Sequence, residues 1–266
     1  MIVFLLVFIF ALFIYIHVLF QWKVSNEIDI PHISLPNKDT LEQVADTHQP
    51  FIFEKDLESS LYLEGIEREI NVQKIGEQPI KVPHKAMLSA VKKEPYLSQK
   101  NVSFLERTQW MQDIKKLNVC DTLLKPHMNW KTAHDIIYGN KGVYTELCCS
   151  PVGRNYFAVV EGYAELKLCT PRCGDFLIEE NANATRSNVN IWEPSENDKT
   201  TLKECDTILI PIQKGSIIHI PAYWWYSFKF PEVSCIISFS YSTYMNAISQ
   251  VPAKIQQLLQ KNKIEV

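Results

Sequence analysis

The chain opens on an uninterrupted apolar run. Residues 1–20 contain no Asp, Glu, Lys or Arg, and at 1.5 Å per residue a helix of that length reaches about 30 Å, the thickness of a bilayer core. Trp22 and Lys23 follow at once, an aromatic and a cation suited to the membrane–water interface. The pattern predicts a single transmembrane anchor over residues 1–21. A cleaved signal peptide fits less well: no basic region precedes the run, the run is long, and no small-x-small site follows it. Lys23 is offset by Glu27 and Asp29, so these charges leave the side of the membrane occupied by the body open.

Behind the anchor the pattern turns polar, with Pro31 and Pro36, and residues 22–40 are expected to be a stalk. Asp39-Thr40 with Glu42-Gln43 predicts a short capped helix, and Pro50–Phe53 an apolar strand. Residues 41–135 mix helical and extended patterns, the strongest helix being Val102–Leu117. From about Val143 the pattern changes to short strands, and residues 136–244 are expected to form the β core. Tyr156–Val160, Tyr163–Cys169, Thr207–Pro211, Ser216–Ile220, Tyr223–Phe230 and Val233–Tyr241 read as strands separated by turn residues. Short strands in this series argue for a β sandwich or barrel. Residues 175–204 read as a polar excursion between strands. Residues 245–266 read as a C-terminal helix, with Pro252 in its first turn and Ile255, Leu258 and Leu259 on one face.

Composition narrows the function. Of the 266 residues, 46% are hydrophobic and 21% charged, which suits a globular domain and excludes disorder. Lys+Arg 27 against Asp+Glu 30 leaves −3, with no basic excess to neutralise phosphates, so no nucleic-acid partner is expected. Seven cysteines without a CxxC pair indicate neither a disulfide scaffold nor a zinc ribbon. Asn101-Val-Ser and Asn183-Ala-Thr are formal glycosylation sequons, relevant only if the body faces a lumen.

Two segments carry a family likeness: GVYTELCCSPVGRNYFAVVEGYAELKLCTP (142–171) and KGSIIHIPAYWWYSFKF (214–230). Together they resemble the JmjC-like, cupin-fold 2-oxoglutarate oxygenases, with the strongest likeness to the asparaginyl hydroxylase that acts on the hypoxia-inducible factor. The resemblance implies a mainly β fold with flanking helices: a double-stranded β-helix of the cupin or jelly-roll kind over 136–244, preceded by the transmembrane helix. It also implies an Fe(II) site built from His-x-Asp on one strand and a distal His after a Trp pair, with a Lys that pairs with the co-substrate. Residue by residue, those positions fall on Cys148, Ser150, Tyr226 and Ala164, none of which keeps the required type. One extra residue before Asn155 leaves Cys149 as an alternative to Cys148. The cleft would be lined by Thr145, Asn155, Tyr163 and Trp224 as well.

An open iron site needs two imidazoles and a carboxylate on one face. With all three positions and the anion anchor changed, the expectation is a non-catalytic descendant that takes no cofactor and works as a membrane-anchored binding or structural module with an unidentified protein partner. The alternative is an Fe(II) and 2-oxoglutarate hydroxylase with an unusual ligand set. Cys148 and Cys149 read as small hydrophobes, Cys169 and Cys173 as part of a turn, and His219 as a half-buried core or rim residue. Trp224 and Trp225 are expected to point one inward and one outward, and Tyr226 to fill the space left by a metal. The resembling hydroxylase dimerises through C-terminal helices, so residues 245–266 either make a homodimer or cover the barrel end.

Overall fold

Alternating burial along the strands sets the architecture. The computed structural model describes residues 2–55, 69–74, 77–91, 95–102, 118–178 and 185–255. In chain order the elements are α1 (Ile2–Trp22), β1 (His32–Ile33), α2 (Lys38–Ala45), β2 (Phe51–Glu54), β3 (Glu69–Val72), β4 (Ile80–Pro83), α3 (His84–Val91) and β5 (Leu97–Ser98). Then come α4 (Asn118–Leu124), β6 (Asn129–Gly139), β7 (Val143–Tyr144), β8 (Cys148–Cys149), β9 (Arg154–Glu161), β10 (Tyr163–Cys169), α5 (Gly174–Leu177) and α6 (Glu196–Lys203). The chain continues through β11 (Thr207–Gln213), β12 (Ser216–Ile220), β13 (Trp225–Phe230), β14 (Ser234–Thr243) and α7 (Tyr244–Ser249).

Seven strands form one sheet in the order β1-β2-β12-β9-β14-β6-β5, and β11-β10-β13-β7 form a second, with β8 also paired to β13. Apart from the parallel β1–β2 edge, the pairings within these two sheets are antiparallel. The facing surfaces enclose a core of Phe157, Val159, Leu166, Leu168, Ile218, Trp224, Phe228 and Phe230. The period of two sends alternate residues to the back of the larger sheet. There Tyr156, Ala158, Ile217 and Phe239 pack under α2, α3 and α4 through Leu41, Met87 and Leu124. Gly139 at the end of β6 is fixed by packing: a Cβ there would stand 2.0 Å from the Phe230 ring. Gly162, at φ +76°, makes the tight β9–β10 turn in a region L side chains rarely adopt.

The six expected strands are all present, with ends shifted by at most a few residues. The eleven-residue β6 is the strand the pattern concealed. It pairs with β14 along almost its whole length and runs through the expected boundary at 135/136. Its first half, Asn-Trp-Lys-Thr-Ala-His, has no clean alternation: Trp130 is exposed, and only His134, which faces Asp121 of α4, is buried.

Three further expectations change. Residues 22–40 are not a free stalk: Ile30 packs against the barrel core, β1 pairs with β2, and Asn37 caps α2 by accepting from the Thr40 amide at 2.8 Å. The 175–204 excursion is not solvated throughout. Its described parts, 175–178 and 185–204, lie against the outer face of the smaller sheet, where Leu177 and Ile191 join Leu147, Cys169, Cys173, Cys205 and Trp225 in a third core. His219 is neither half-buried nor at a rim. It is fully buried, with its ring stacked on Phe51 at 4.6 Å and beside Tyr156 at 4.9 Å.

α1 is one helix long and apolar enough to cross a membrane, exposed along its length, and a signal sequence would pass the same test. The Asn101 sequon is buried. Its amide donates to Ser98 Oγ and the Ile136 carbonyl, and its Oδ1 accepts from the Asn71 amide, so a folded chain offers nothing there to a glycan. Most of the expected Val102–Leu117 helix, together with Asn183, Leu258 and Leu259, lies outside the described residues.

Candidate functional site

Strand alternation decides which expected site residues meet. In the β8–β13 pair Cys148 lies opposite Tyr226, and Cys149 opposite Trp225. Tyr226 packs against the interior core, with ring centroids 5.1 Å from Phe157 and 5.9 Å from Phe228. Cross-strand partners share a face, so Cys148 points into the barrel and Cys149 joins the outer core with Trp225. This fixes the register between the two cysteines. The Trp pair divides likewise: Trp224 is buried in the interior core, and Trp225 is buried in the outer core beneath Leu177 and Ile191.

Beside this pair sits a hydrogen-bonded cluster. Ser150 Oγ accepts from the Val152 amide at 3.2 Å and donates to Asn155 Oδ1 at 3.4 Å. Ser240 Oγ donates to the same oxygen at 2.9 Å. The Asn155 amide donates to the carbonyls of Val152 and Ile220. Asn155 is buried and its carboxamide is committed on both ends. The carbonyl of Ser150 accepts from the Tyr223 amide at 2.9 Å, and Tyr223 holds a positive φ of 67° that turns the chain into the Trp pair.

The remaining expected residues stand elsewhere. Ala164 is buried in the interior, but it pairs with Ile212, whereas Leu168 is the β10 residue opposite Tyr226. Four residues along a strand separate them by roughly 13 Å. Tyr163, adjacent to inward-facing Ala164, alternates to the outer face and does not line the cleft. Thr145 does not line it either. It borders an outer groove of about 400 Å³ with Tyr144, Asn190 and Trp192. Its Oγ1 accepts from the Phe228 amide at 2.9 Å, and its carbonyl accepts from Ser227 Oγ at 2.6 Å. Ser227 in turn accepts from Trp192 Nε1 at 2.8 Å, and the Lys167 ammonium lies 4.6 Å from the Trp192 ring. Sequence reading missed Ser240, Ser227 and Trp192. The first two look like ordinary strand serines, and Trp192 reads as part of a polar loop.

The chemistry of the donors follows from burial. Desolvation pushes the Cys148 thiol up to about 11, and its Sγ–H points at the Tyr226 carbonyl at 3.9 Å. A cysteine binds metal as thiolate, so this one is protonated at neutral pH. Burial, then the neighbouring Cys148, raises the Tyr226 phenol well above its ordinary value. Ser150 is engaged in its own hydrogen bonds, and Ala164 has no donor to offer. Among the described residues no three His, Cys, Asp or Glu side chains converge as a metal site would need. This donor set does not fit an Fe(II) and 2-oxoglutarate centre, and no reaction step is derived through one.

The other cysteines form a second feature that the sequence spacing understated. Cys148, Cys149, Cys169, Cys173, Cys205 and Cys235 form no disulfide. Cys169 and Cys173 hydrogen-bond to one another and Cys205 approaches Cys173, with Thr170 and Thr207 as further partners. They are packed within the outer core.

No curated relative matches the sequence. A family model described as a cupin-like domain matches residues 40–245, from within α2 to the start of α7, and so takes in every strand of the two sheets except β1, with Cys148, Ser150, Asn155 and Tyr226 among them. The chain therefore belongs to the cupin-like domain family, as an N-terminal apolar helix joined to a cupin-like domain.

Proposed function

We infer that this protein is a membrane-anchored, non-catalytic member of the family, a binding or structural module derived from a 2-oxoglutarate oxygenase. One observation carries the reading. The three positions where the oxygenase resemblance would put iron ligands hold a protonated thiol, a hydroxyl engaged with Asn155 and Val152, and a protonated phenol. The fold tolerates this because its stability comes from strand patterning and packing rather than from a metal. Phe157, Tyr226 and Phe228 occupy the interior that a co-substrate would need, so binding falls to the outer surfaces. α1 supplies the anchor, and the partner is a protein met at that membrane.

The test uses the full-length protein in detergent micelles, loaded anaerobically with Fe(II) and 2-oxoglutarate, freed of excess and assayed for both. The expected result is no retained iron and no retained co-substrate. Stoichiometric retention of both would overturn the reading in favour of a hydroxylase with an atypical ligand set, and Cys148→Ala would then abolish that retention.

A further inference from the structure

We propose that the face of the domain around the foot of α1 is a membrane-docking face, seated in the interfacial layer of the bilayer that α1 enters. The inference rests on the anchor reading of α1 and adds to it: the domain lies on the membrane instead of standing off on a tether.

The first observation is rigid attachment. Trp22 Nε1 donates to the Ser249 carbonyl of α7 at 3.1 Å, and the Phe20 ring meets His48 edge-on at 5.1 Å. A few residues further on, Asn26 Oδ1 accepts from the Arg172 amide at 3.0 Å. The residues leaving the apolar helix are thus bonded to the domain from two sides. Whatever surface lies beside these contacts is held at the depth of the last turn of α1.

The second observation is what that surface presents. α7 turns Asn246 and Ser249 inward, and the helical residues 251–255 after it are all exposed. The Asn246 amide holds the Pro151 carbonyl at 3.1 Å. The opposite face carries Tyr244, Ile248, Val251 and Ile255, exposed by 44%, 40%, 47% and 51%. Tyr244 and Ile248 are one turn apart on α7, and Val251 and Ile255 one turn apart on the helical stretch that follows the turn at Gln250. Trp130, 60% exposed, extends the stripe, with its ring 5.1 Å from Tyr244. A stripe ending in Trp and Tyr is the composition that membrane–water interfaces select, and an apolar helix face lying in the plane of the headgroups is a known way to use it.

Continuity with α1 selects the occupant. A stripe packed beside the foot of a bilayer-crossing helix meets lipid before it can meet another macromolecule.

The experiment uses the full chain reconstituted in phosphatidylcholine vesicles with or without brominated acyl chains, reading tryptophan quenching. Trp22→Phe and Trp130→Phe variants isolate the two reporters, and an Ile248→Glu/Val251→Glu variant, altered only at exposed positions, disturbs the stripe. The expected result is that both Trp22 and Trp130 are quenched, and that the double glutamate variant loses the Trp130 component while keeping the Trp22 component. Quenching of Trp22 without Trp130 would overturn the docking face and leave the anchor standing. Protection of Trp130 together with cross-linking of two chains through residues 244–255 would likewise overturn it, assigning the stripe to a second copy. Absence of quenching at both, with no flotation on vesicles, would instead remove the anchor reading itself.

Discussion

Cys148 and Tyr226 face each other directly across the β8–β13 pair, and the cysteine Sγ lies 3.9 Å from the tyrosine carbonyl. The oxygenase resemblance would put two metal-binding imidazoles at these positions. Here the two groups satisfy one another and the surrounding aromatic rings, so one end of the barrel is closed by ordinary packing. A half-buried thiol held protonated in that setting is chemically quiet, which yields a direct measurement.

Alkylation of Cys148 by iodoacetamide in the folded protein should stay slow through pH 9 and accelerate only toward pH 11, because its thiol is pushed up to about 11 by burial. Peptide mass spectrometry after timed alkylation reads the rate. The same shift makes stability pH-dependent with a definite sign. The folded state holds this proton more tightly than the unfolded chain, so the contribution is whole below about pH 9 and is lost as pH rises through the folded value. A rate already at its plateau by pH 8 would contradict this.

His219 should make the protein acid-labile. Burial, then the Arg154 charge, lowers its imidazole to about 3 from 6.5, and the carbonyls of Gln49 and Gly153 face the ring. Between those values the unfolded chain binds a proton that the native state refuses, so stability is whole above pH 6.5 and falls on acidification toward pH 3. The loss from this residue is on the order of a few kcal/mol. Urea unfolding midpoints across pH 4–7 should slope steeply in the wild type and less in His219→Phe, which keeps the stack on Phe51. Equal slopes would argue against the assignment.

Gly139→Ala should destabilise the fold by about 1–3 kcal/mol, the usual cost of forcing atoms into a packed core. The added methyl would stand 2.0 Å from the Phe230 ring, which is itself fully buried. Phe230→Leu in the same chain should recover part of the loss by vacating that space. The double-mutant cycle in urea reads the coupling, and strict additivity would mean that the ring moves aside freely.

Asn155→Ala should cost about 2–4 kcal/mol, since it strips partners from Ser150, Ser240 and the carbonyls of Val152 and Ile220 at once. Ser240→Ala, which removes one of those bonds, should cost about 1 kcal/mol. The ranking, read by thermal unfolding, tests whether the polar cluster at the mouth supports the fold.

The sequence by itself determined the strand series from Tyr156 to Tyr241. In strands such as β10 the alternation of Tyr163-Ala-Glu-Leu-Lys-Leu is enforced by which side of a sheet each residue must face. It also determined the apolar helix, whose length and composition suffice, and the absence of an imidazole or carboxylate at positions 148, 150 and 226, since residue type alone shows it. Only the tertiary structure decided the rest. β6 is long but irregular in pattern, and its identity as a strand comes from pairing with β14 nearly a hundred residues later. Thr145 and Tyr163 leave the cleft because pairing geometry turns them outward. His219 is interior because β2 and β9 close over it from either side. The stripe at the foot of α1 joins Trp130 to Tyr244 across the fold, and the attachment of Trp22 to Ser249 spans nearly the whole chain. Local periodicity reports which face of an element is apolar. Which distant element, or which solvent, meets that face is decided by long-range packing that no local pattern encodes.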